Sequence, residues 1–120
     1  MLPERVGVVG WGWGGGKALD LAANTPLQAC VVCDGPVTDD PALVAGLRQT
    51  PVLGIFGGAD ANAVRARKAF LKVLDGAAVP NRVRVFEGAG TGFMGPPAGK
   101  AYIREAADRA FVEVYEFLGR

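Results

Sequence analysis

Four short runs rich in valine and isoleucine alternate with longer segments of helical period along the 120 residues. Strands separated by helix-length segments read as parallel neighbours joined by crossovers, not as hairpins. The runs predict strands over residues 5–9, 28–33, 51–56 and 82–86, with helices over 15–23, 40–47, 62–74 and 100–118. Asn24, Thr25 and Pro26 stop the first helix, and Asp34, Gly35 and Pro36 end the second strand. The third run is apolar throughout, which suits a strand buried on both faces. In the helix over 62–74, Ala63, Ala66, Phe70 and Leu74 share one side, while Arg65, Lys68 and Lys72 turn away. The last helix places Ile103, Ala106, Ala107, Ala110, Phe111, Val114, Phe117 and Leu118 on one stripe.

Right-handed crossovers between sequential parallel strands put all three connecting helices on one face of the sheet and leave the last helix for the other. The expected architecture is therefore an α/β three-layer sandwich, a single domain over 1–120 with a four-stranded, mainly parallel sheet in sequential order. Four strands span roughly 15–19 Å and one helix covers about 10 Å, so part of the second face is expected to stay uncovered. Self-association is the economical remedy, and a twofold homodimer through the first-strand edge and the C-terminal helix is expected.

Thirteen basic residues against twelve acidic ones leave a formal charge of +1 with no basic cluster. That balance gives no driving force for nucleic acid or an acidic membrane surface. No leader precedes the first strand and no apolar run approaches a membrane span, so the expected location is cytoplasmic. Cys30 and Cys33 lie three apart in a strand, which points them to opposite faces and forbids a bond between them. Neither a metal nor a cofactor is expected.

Two glycine-rich segments carry the functional reading. The first, Gly10, Trp11, Gly12, Trp13, Gly14 and Gly15, has the small-residue punctuation of a nucleophile elbow, with glycine at the place of the nucleophile. The second, Gly88, Ala89, Gly90, Thr91, Gly92 and Phe93, follows the fourth strand. Between them stands the run Pro51 to Phe56 followed by Gly57, Gly58, Ala59 and Asp60. Taken together in this order and spacing, the three segments resemble the dienelactone hydrolase family of the α/β-hydrolase fold, from the strand that carries the nucleophile onwards. The resemblance covers nearly the whole chain but only the C-terminal half of the family's domain. It implies that Gly12 stands where the family has its nucleophilic cysteine or serine, Asp60 where it has the triad acid, and Thr91 where it has histidine. Only Asp60 matches, and the chain has no histidine at all. A nucleophile without a base is not activated, and a base without a nucleophile has nothing to activate. An aspartate with no imidazole to orient is expected instead to cap the helix that follows it.

The expected role is therefore non-catalytic: an interaction or small-ligand module, with Trp11, Gly12, Trp13, Asp60 and Thr91 as ligand-contact candidates and no catalytic residue intact. The alternative is an ester or lactone hydrolase, weak or completed by a partner chain. A third reading takes Gly10, Gly12 and Gly15 as a G-x-G-x-x-G dinucleotide loop with Asp34 after the second strand. Bulky tryptophans flank Gly12 where a pyrophosphate would approach, which weighs against it. Lys17 makes a near miss to a P-loop, since Ala18 replaces the hydroxyl that the motif requires.

Overall fold

The structure is a computed structural model that describes residues 7–11, 13–25, 27–33, 40–59, 61–90, 92–94 and 102–119. Its elements run β1 (Gly7–Trp11), α1 (Trp13–Asn24), β2 (Ala29–Cys33), α2 (Pro41–Ala45), β3 (Val52–Gly57), α3 (Ala61–Gly76), β4 (Asn81–Phe86) and α4 (Arg104–Leu118). The four strands form one parallel sheet in the order β1-β2-β3-β4, as the alternating pattern predicts.

Side-chain parity divides the core into two layers. Cys30 and Val32 of β2, with Val52 and Phe56 of β3, meet Leu19 and Ala22 of α1, Val44 of α2, and Phe70 and Leu74 of α3. The alternate residues Ala29, Val31, Cys33, Leu53 and Ile55 meet Ala110, Val114 and Phe117 of α4. A strand period of two therefore feeds both faces of the central strands, and every residue of β2 and β3 is buried. The two cysteines are free and lie in opposite layers. Thr50 is the buried polar side chain among the described residues; its hydroxyl accepts the Leu27 N–H at 2.8 Å at the entry to β2.

Several boundaries differ from the sequence expectation, each for a local reason. β1 runs two residues past the predicted end at Val9, because pairing with Ala29–Cys33 draws Gly10 and Trp11 into the ladder opposite Val32 and Cys33; Arg5 and Val6 of the predicted strand lie outside the described residues. α2 is shorter than predicted. Asp40 caps it by accepting the Ala42 N–H at 3.0 Å, and at its other end a Cβ on Gly46 would lie 2.5 Å from the Ala23 carbonyl oxygen, so the close approach to α1 requires glycine there. α4 starts at Arg104, not near residue 100. Ile103 is extended and donates its N–H to the Phe93 carbonyl at 3.0 Å, which takes it off the helical stripe and leaves it 39% exposed. In α3, Phe70 and Leu74 are buried as expected, but Ala66 is exposed and Arg67 is half-buried in the turn before Phe70.

α4 packs over β2 and β3, so the two flanks of its face are carried by β1 and β4. They are built differently. On β4, Arg82 and Arg84 reach the Glu113 carboxylate of α4 at 3.9 and 3.3 Å, and this flank is charged. On β1, Gly7 lies beneath Leu118, Val9 packs into the α4 layer, and the Trp11 ring lies 6.1 Å from Phe111. Among the described residues the β1 flank is therefore apolar, whereas the β4 flank mixes Arg82, Arg84 and Glu113 with the exposed Ile103 and Val112.

Candidate functional site

Parallel strands carry their following loops to one edge, so the segments after β1, β3 and β4 all emerge at the C-terminal end of the sheet. Gly12 falls between β1 and α1, Asp60 between Ala59 and the first residue of α3, and Thr91 in the loop beyond β4. All three positions lie outside the described residues, and their neighbours define the frame.

The frame around the second and third positions is tightly tied. Gly58 donates its N–H to the Phe86 carbonyl and Ala59 to the Ala89 carbonyl, both at 3.0 Å. Gly57 lies against the backbone of Ala89 and Gly90 with no room for a Cβ. Hydrogen bonds thus join the loop that leads to residue 60 to the loop that leads to residue 91. Gly88 turns with a φ of 81°, and Gly92 with 90°, both in the left-handed region that favours glycine. Phe93 donates to the Gly90 carbonyl at 3.2 Å, and its buried ring lies 5.4 Å from that of Phe86. The β1 end stands apart from this pair, with β2 between it and β3, roughly 10 Å across the sheet.

Of the aromatic candidates, Trp11 is the last residue of β1 and 47% exposed, turned to the α4 face. Trp13 opens α1. Beside the frame, and missed by the sequence reading, a groove of about 710 Å³ runs between β4 and α4, lined among others by Arg84, Glu87, Ile103, Arg109, Val112 and Glu113. Four of its charges form two pairs: Arg84 with Glu113, and Arg109 with Glu105, each at 3.3 Å. The alternation of Arg82, Val83, Arg84 and Val85 carried the signal, but only the position of α4 tells which face the arginines occupy.

Among the described residues no group of His, Cys, Asp and Glu side chains could hold a metal ion. Burial pushes the Cys30 thiol up from 9.0 to about 12, so it stays protonated and unreactive across the neutral range. Its neutral form is the one the fold favours. That contribution is complete below the ordinary thiol pKa and is lost as pH climbs from 9.0 toward about 12. Two results are expected: native protein leaves Cys30 unmodified by iodoacetamide at neutral pH, and Cys30→Ala flattens the alkaline limb of a stability-against-pH curve. Rapid alkylation of the folded chain would contradict the first.

Comparison with known proteins agrees with this frame. The dienelactone hydrolase family model matches residues 1–120. A Klebsiella pneumoniae subsp. pneumoniae protein assigned as a dienelactone hydrolase superposes with a TM-score of 0.84 at 22% identity, over 98% of this chain and 52% of that one. A dienelactone hydrolase-like promiscuous phosphotriesterase from metagenomic libraries gives 0.85 at 23%, over 97% and 52%. SOBER1 of Arabidopsis thaliana, in a variant form, gives 0.74 at 21%, over 98% and 56%. No curated protein matches the sequence. The chain spans about half the length of the solved structures it resembles, and at these identities the likeness establishes the α/β-hydrolase fold.

Proposed function

The chain belongs to the dienelactone hydrolase family, and from that premise we infer that it is a non-catalytic member that serves as an interaction or small-ligand module. One observation carries the reading: a family whose chemistry rests on an imidazole base is represented here by a chain without histidine. Gly12 at the nucleophile's place and Thr91 at the histidine's place remove both ends of the proton transfer together. What persists is a hydrogen-bonded frame at the sheet's C-terminal edge, with Trp11 across β2 from it, and next to α4 a β1 edge with which no described strand pairs and where a second copy docks.

Hydrolysis of p-nitrophenyl acetate and of a simple lactone by the purified protein is expected to equal the buffer blank and to be unchanged by Asp60→Ala. Turnover that disappears with that substitution would overturn the reading, because an orienting carboxylate matters only where there is something to orient.

The alternative reading is an ester or lactone hydrolase, weak or completed by a partner chain that lends the groups absent at Gly12 and Thr91. Activity that appears only on mixing with such a partner distinguishes it from the first.

A further inference from the structure

We propose that β1 is a self-complementary docking edge, on which a second copy of this chain pairs antiparallel about a twofold axis at Val9 and seats its Trp11 against Gly7. This rests on the interaction-module reading and assigns the surface and the fit.

The argument starts from which groups the strand leaves free. Cys30 donates its N–H toward β3, to the Pro51 carbonyl at 2.9 Å, so the alternate residues of β2, Ala29, Val31 and Cys33, turn theirs toward β1. In a parallel ladder with Val9 opposite Val31, Val31 bonds to Val8 and Gly10, and the N–H and C=O groups of Gly7, Val9 and Trp11 point outward. Among the described residues no strand pairs with that side.

The same three residues share the α4 face: Gly7 beneath Leu118, Val9 in the α4 layer, Trp11 beside Phe111. They make a hole and a knob. At the Gly7 end lies a pocket of about 200 Å³ lined by Gly7, Val9, Gln28, Ala29 and Leu118; a cavity of roughly 150 Å³ already holds a benzene ring. At the other end Trp11 stands 47% exposed, continued along the flank by Phe111 and the 69% exposed Tyr115.

Antiparallel pairing about Val9 sets Gly7 opposite the partner's Trp11, and the outward backbone groups of all three residues then meet counterparts. Directly opposed side chains share a face and sit about 5.5 Å apart at their α carbons, within reach of an indole. Each indole thus approaches the other copy's pocket, at both ends of the ladder at once. Nothing in β1 carries a charge, so the edge has no Lys, Arg, Asp or Glu to deter a neighbour or to select a charged one. An uncharged surface whose projection and recess lie the same distance from a central residue is matched by itself.

Sedimentation velocity of the full chain at micromolar concentration tests this. The wild type is expected to be a dimer, Trp11→Phe to remain one, and Trp11→Ala, whose circular dichroism reports retention of the fold, to run as a monomer with the dissociation constant raised by about a hundredfold or more. A second measurement leaves the interface intact. In Trp13→Phe protein Trp11 is the sole indole, and its emission is expected to shift to the red on dilution as the ring leaves the pocket. A wild-type monomer, or a Trp11→Ala dimer, or emission indifferent to dilution across the dissociation range would each overturn the proposal. None of these outcomes touches the expected absence of hydrolysis, so the two readings fail separately.

Discussion

Phe70→Ala is expected to destabilise the protein by about 3–5 kcal/mol and to lower its melting temperature by roughly 10–20 °C. Phe70 is fully buried, on the face of α3 that closes the layer shared with β2, β3, α1 and α2. Truncating it removes a ring from the middle of a packed layer whose backbone is fixed by strand pairing on one side and helices on the other, so the walls cannot collapse into the space. Lys68→Ala, two residues away on the exposed side of the same helix, is expected to change stability by less than about 0.5 kcal/mol. Urea denaturation of the pair measures the contrast. Equal midpoints would mean that α3 does not close the core.

Gly57→Ala is expected to be the most damaging glycine substitution at the sheet's C-terminal edge, at about 2–4 kcal/mol. A Cβ at Gly57 would overlap the Ala89 carbonyl oxygen and come within 2.9 Å of both the Ala89 carbonyl carbon and the Gly90 oxygen. These are backbone atoms and cannot rotate away. Either β3 or the loop after β4 must shift, and with it go the Ala59 to Ala89 and Gly58 to Phe86 hydrogen bonds. Gly90→Ala, at a position where an added Cβ meets nothing within 4 Å, is expected to be near neutral. Thermal melts of both variants, with amide exchange at Gly58 and Ala59, separate loss of the staple from a general effect of replacing glycine. Unchanged exchange in Gly57→Ala would show that the loops are held together some other way.

Much of the fold can be read along the chain because its determinants are local or periodic. The three-residue separation of Cys30 and Cys33 suffices to place them in opposite layers, as the structure does. The stripe Ala107, Ala110, Val114 and Phe117 identifies the buried side of α4 before any partner is known. Where reading fails, a distant partner decides. Gly10 and Trp11 look like the start of a glycine loop, yet five residues of β2 hold them in a ladder, because pairing energy outweighs glycine's weak strand preference. Ile103 fits the helical period, but its N–H is committed to Phe93. At the candidate site, the spacing of Gly12, Asp60 and Thr91 is visible as a motif. The tie between Ala59 and Ala89 is not, since nothing local to either segment announces a bond across thirty positions of sequence.

The contrast between the two outer strands also bears on how far the proposed assembly could grow. A sheet with two sticky margins adds subunits without limit and ends as a fibre. Here Arg82 and Arg84 sit on the far margin, close to one shared carboxylate, and their surplus positive charge would face that of any like strand brought alongside. In the proposed dimer both margins of the eight-stranded sheet would be arginine-bearing, and growth would stop at the pair.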